Sequence, residues 1–73
     1  KDSKTELQEW AQERALALPA YTETAREGPA HAPLFSVRVS LEGLDPAAAS
    51  GPSKRAAEQA AASALLERIK GDT

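Results

Sequence analysis

Hydrophobic and polar positions follow readable periods in three stretches of the chain. From Leu34 to Glu42 the alternation is strict. Phe35, Val37, Val39 and Leu41 fall on one side and Ser36, Arg38, Ser40 and Glu42 on the other. A period of two over this length predicts a strand with one buried and one wet face. The wet face points to an antiparallel sheet, because parallel sheets are covered on both sides. From Lys4 to about Ala15 the period changes. Leu7, Trp10 and Ala11, with the stem of Arg14, gather on one face at 100° per residue, which predicts an amphipathic helix with Trp10 in its core face. Ser3 and Glu6 have capping-box spacing, and Leu16 and Leu18 carry the apolar edge to Pro19, where the helix has to have ended. The third stretch follows Gly51-Pro52, a pair that closes a loop. Ser53 then suits an N-cap, and Ala57, Ala61 and Leu65, with Ala62, Leu66 and Ile69 one turn round, form the apolar face of a helix about 25 Å long. Gly71 is the expected C′ residue.

The intervening segments are less regular. Tyr21 to Glu27 reads as a strand with loose alternation, helped by Thr22 and Thr24. Gly28-Pro29-Ala30-His31-Ala32-Pro33 reads as a loop stiffened by two prolines, with His31 near a hairpin tip. Glu42-Gly43 is a turn signal. In Leu44–Ser50 the alanines disfavour a strand and Pro46 excludes a central one, so this piece is either a short edge strand or a loop. The order is helix, two or three antiparallel strands, helix: an α+β chain.

Composition narrows the function classes. Seventy-three residues make one small domain, near the size at which a single core only just suffices. Its charged, abrupt ends suggest a domain excised from a larger protein. There is no cysteine and one histidine, which excludes disulfides and the usual structural zinc sites. No apolar run nears the roughly 20 residues needed to span a bilayer, and no signal peptide is visible. The net charge of −2 has the wrong sign for a generic nucleic-acid binder. Residues 51–70, however, carry Lys54, Arg55, Arg68 and Lys70 against only Glu58 and Glu67. Any nucleic-acid footprint must therefore be a compact patch on a mildly acidic body.

Lys54 and Arg55 fall in the first turn of the last helix, where the macrodipole disfavours cations. Two positive side chains beside free helical N–H groups suit an anion such as phosphate. On the first helix, Thr5, Gln8 and Gln12, flanked by Glu9 and Glu13, form a stripe of hydrogen-bonding groups nearly opposite the apolar one. Such a stripe can meet sugar hydroxyls or bases. Each feature alone also fits an ordinary solvated surface, His31 included. The carboxylates are scattered, with no cluster suited to metal-assisted hydrolysis and no nucleophile motif near His31, so the chain itself is not read as an enzyme.

Three motifs, in order, resemble the double-stranded-RNA-binding domain, and most closely the C-terminal one of bacterial ribonuclease III. They are Thr5-x-Leu7-Gln8-Glu9-Trp10-x-Gln12, Gly28-Pro29-x-His31-x-Pro33-x-Phe35 and Ser53-Lys54-Arg55-Ala56-Ala57-Glu58-Gln59-x-Ala61-Ala62. The resemblance implies an α-β-β-β-α fold, with two helices on one face of a three-stranded antiparallel sheet. It implies that Thr5, Gln8, Glu9 and Gln12 meet one minor groove of A-form RNA. Pro29, Ala30 and His31 would meet the next, and Ser53, Lys54 and Arg55 would hold phosphates across the major groove between them. It further implies a cytoplasmic, dimeric, magnesium-dependent endoribonuclease as parent, with the metal in a nuclease domain outside this chain and no cofactor within it. The alternative is a module of the same fold that binds protein or dimerises, with little RNA binding. Glu58 stands where many relatives have a third basic residue, and Pro52 where a small or basic one is common; both imply few phosphate contacts.

Overall fold

The computed structural model describes residues 2–71, in the order α1 (Ser3–Glu13), β1 (Ala20–Glu27), β2 (Leu34–Ser40), β3 (Ala47–Gly51) and α2 (Lys54–Gly71). The strands form one antiparallel sheet, β1-β2-β3, with both helices on one face. This is the expected α-β-β-β-α architecture.

The core follows the periods. Val37, Val39 and Leu41 are buried, with Leu7 and Ala11 of α1 and Ala57, Ala61, Ala62, Leu65 and Leu66 of α2 packed against them. Val39 pairs between Tyr21 and Ala47, and Val37 between Glu23 and Ala49. The loose alternation of β1 has a structural cause. Its register shifts between Glu23 and Ala25, so the bulge sets Arg26 opposite Phe35, with the guanidinium 4.6 Å from the ring centroid.

Several local expectations are corrected. The N-cap of α1 is Asp2, not Ser3: its carboxylate accepts from the Thr5 N–H at 2.7 Å. A charged oxygen one residue earlier wins over the Ser3 hydroxyl. Trp10 is half-buried at the edge of the core rather than inside it, and the Arg14 guanidinium covers its ring at 4.0 Å. Leu16 packs on the core, but Leu18 is 59% exposed. The ladder of β2 stops at Ser40, although Leu41 stays buried. Gly71 is the last helical residue instead of lying past the end.

The ambiguous Leu44–Ser50 segment contains a strand. Pro46 precedes β3, which runs from Ala47 through Gly51 as the sheet edge beside β2. Edge position excuses the weak propensity, and small side chains are required there for a separate reason. A Cβ on Gly51 would lie 2.8 Å from the Ala57 nitrogen and 3.0 Å from the Ala56 carbonyl carbon. The sheet and the start of α2 meet backbone to backbone. Arg68 ties the other end of this unit, donating to the carbonyls of Asp45 at 2.6 Å and Pro46 at 3.2 Å.

Helix α1 ends in a Schellman arrangement. The Leu16 N–H bonds to the Ala11 carbonyl and the Ala15 N–H to that of Gln12, which forces Ala15 to φ +57°. A side chain is strained there and glycine is not. Ala15→Gly should therefore raise stability by about 0.5–1 kcal/mol, read as a higher midpoint in urea at unchanged slope.

Candidate nucleic-acid interface

The first contact region is the outer side of α1. Thr5, Gln8, Glu9 and Gln12 are all exposed, while Leu7 and Ala11 between them are buried, so core packing turns the polar stripe outward. The second is the loop from Gly28 to Pro33. Gly28 has φ +87°, and a Cβ there would sit 2.7 Å from the Ala32 carbonyl oxygen, so the loop closes only on glycine. Its tip is a turn with Ala32 N–H donating to the Pro29 carbonyl at 2.9 Å, which leaves Pro29, Ala30 and His31 exposed.

The third region opens α2. The Ser53 Oγ accepts from the Ala56 N–H at 3.0 Å, as an N-cap should, and its own hydroxyl proton can still reach an anion. Lys54 and Arg55 follow as exposed side chains in the first turn. Nothing acidic accompanies them in that turn.

The fold brings part of the first region against the third. Thr5 and Gln8 of α1 line one open depression with Lys54 and Arg55 of α2. Glu9 faces a separate groove with Trp10, Leu66 and Ile69, and the loop tip lines neither. The same depression contains Asp2, Tyr21 and Gln59, which no period or charge pattern marks as contacts, Glu58, which stands in place of a third basic residue, and Lys4. Lys4 carried a usable signal. Like Lys54, it is a cation in the first turn of a helix, where the dipole disfavours it.

Hydrogen bonding to Thr5 holds the Asp2 carboxyl below its ordinary range, with a smaller contribution from the Arg55 charge. Burial, then the charges of Glu58 and Asp2, push the Tyr21 phenol up to about 12. Tyr21 is therefore a neutral group at physiological pH. Among the described residues no three His, Asp or Glu side chains gather closely enough to hold a metal ion, and no helix is long and apolar enough to cross a membrane.

Residues 3–69 match the family model described as the double-stranded RNA binding motif. The chain is 60% identical over 68 residues to ribonuclease 3 of Mesorhizobium japonicum, covering 93% of this chain and 31% of that protein. It is 54% identical over 72 residues to ribonuclease 3 of Jannaschia sp., covering 99% of this chain and 32% of that protein. It thus spans less than a third of these curated relatives. Among solved structures, one of Arabidopsis HYL1, concerned with miRNA processing, superposes with a TM-score of 0.81 at 37% identity, covering 93% of this chain and 96% of that one. The solution structure of both double-stranded-RNA-binding domains of DRB4 gives 0.72 at 36%, covering 93% of this chain and 44% of that one.

Proposed function

The chain belongs to the double-stranded RNA binding motif family, and from that premise we propose that it is the substrate-binding module of an endoribonuclease III, reading duplex RNA by shape. Binding of double-stranded RNA is the family's property and this chain's function.

A-form RNA hides its base edges in a deep, narrow major groove and offers 2′-hydroxyls across a shallow minor groove. Thr5, Gln8, Glu9 and Gln12 supply donors and acceptors suited to one minor groove, and Pro29, Ala30 and His31 suit the next. Ser53, Lys54 and Arg55 are left for the phosphates between, using charge, helix dipole and a hydroxyl at one place. One observation carries this reading: Thr5 and Gln8 of α1 share a single depression with Lys54 and Arg55 of α2. With about two to four phosphate contacts, log affinity should fall against log salt with a slope of about −2 to −4, taking the duplex as B-DNA-like.

A nuclease domain in the same polypeptide is supported by the ribonuclease 3 relatives, of which this chain spans less than a third; its magnesium and a homodimeric, cytoplasmic parent are what the resemblance to ribonuclease III implies, and they belong to this proposal. The magnesium of this proposal belongs to the nuclease domain. Two copies in a dimer would offset weak single-domain affinity. A low-salt titration against a 20-base-pair RNA duplex, the same sequence as DNA, and single-stranded RNA tests the reading. RNA duplex alone should bind. Equal binding of all three would turn attention to the protein-interaction alternative.

A further inference from the structure

Four residues of the shared depression, Lys4, Tyr21, Glu58 and Gln59, lie outside the contact set and meet at one point. The Lys4 ammonium lies 2.6 Å from a Glu58 carboxylate oxygen whose side chain is only 16% exposed. The backbone N–H of the same residue donates to the Gln59 side-chain oxygen at 3.1 Å. The Lys4 ammonium also stands 5.0 Å from the centroid of the Tyr21 ring. The first turn of α1 is thus held by the second turn of α2 through a charge pair, a cap supplied from across the interface, and an aromatic face.

The chemistry makes this junction stiffer than a surface ion pair. A mostly buried carboxylate cannot be left unpaired without cost, so Glu58 holds Lys4 where an exposed pair would drift. Gln59 satisfies one of the orphan N–H groups that begin α1, a task normally done within the same helix. Position adds the functional link. Glu58 and Gln59 lie one turn beyond Lys54 and Arg55 on the same side of α2. Lys4 adjoins Thr5 and lies one turn before Gln8.

We propose that Glu58 and Gln59 are positioning residues for RNA: by clamping Lys4 they set the spacing between the α1 stripe and the α2 cations, so that both reach their parts of one A-form duplex together. This rests on the binding map proposed above. It also gives the acidic residue a purpose in a patch where charge alone would favour a base.

Three variants test it against simple electrostatics. Glu58→Asp keeps the charge and shortens the reach; Glu58→Gln keeps the length and removes the charge; Gln59→Leu changes no charge. All three should bind a 20-base-pair RNA duplex about 3- to 10-fold more weakly at a temperature where circular dichroism shows them folded, the loss of roughly one hydrogen bond. In the free domain, backbone residual dipolar couplings should show α1 reoriented relative to α2. If Glu58 acted only through its charge, Glu58→Asp would match the wild type and Glu58→Gln would bind more tightly; either result overturns the clamp. So would weakened binding with unmoved helices. A wild-type domain with no preference for the RNA duplex would instead overturn the function on which the clamp rests.

Discussion

Replacing Lys54 and Arg55 together by alanine should weaken binding to every RNA duplex alike and flatten its salt dependence, while leaving the fold intact. Each phosphate contact releases about 0.9 of a counterion, so its electrostatic contribution at 0.1 M salt is about eightfold. The pair should therefore cost roughly 60-fold there, and the slope should fall by about 2. Stability should move the other way. Both side chains are exposed, alanine is the better helix former, and two cations leave the positive end of the helix dipole. The double variant should melt at the same temperature or slightly higher. Unchanged affinity would show that these cations do not hold phosphate.

Gly51→Ala should produce the largest loss of stability from the smallest change. The added methyl would lie 2.8 Å from the Ala57 nitrogen, 3.0 Å from the Ala56 carbonyl carbon and 3.1 Å from the Ala56 Cβ. Backbone atoms cannot rotate away as a side-chain tip can, so the whole start of α2 must lift from β3. A cost of about 2–3 kcal/mol is expected, which lowers the melting midpoint by about 10–20 °C in a domain this small. Any fraction that remains folded should also bind the duplex poorly, because Ser53, Lys54 and Arg55 ride on the displaced turn. Native melting with native binding would mean that the strand–helix junction gives way freely.

These two sites mark what the sequence could and could not disclose. β2 and both helices were legible because each has an uninterrupted period whose apolar members enter one core. β3 was not, because Ala47, Ala49 and Gly51 are selected for smallness beneath α2 rather than for strand propensity. Periodicity has no term for how closely two backbones approach. Trp10 fell on the correct side of α1, but at the margin of the apolar arc, where it is only half-covered. Lys54 and Arg55 were visible as candidates because they break the dipole rule with no local partner in sight. Lys4 breaks it too, yet its hydrogen-bond partners Glu58 and Gln59 are 54 and 55 residues away in sequence, and only the fold brings them together.

The most direct measurement of shape reading is an amide chemical-shift titration of the domain with a 20-base-pair RNA duplex. Shifts should concentrate at Thr5, Gln8, Glu9 and Gln12, at Ala30 and His31, and at Ser53, Lys54 and Arg55. The open sheet face, where Thr22, Arg38 and Ala48 lie in register, should stay quiet. Shifts confined to that sheet face, with the two helices and the loop unmoved, would contradict the three-contact account.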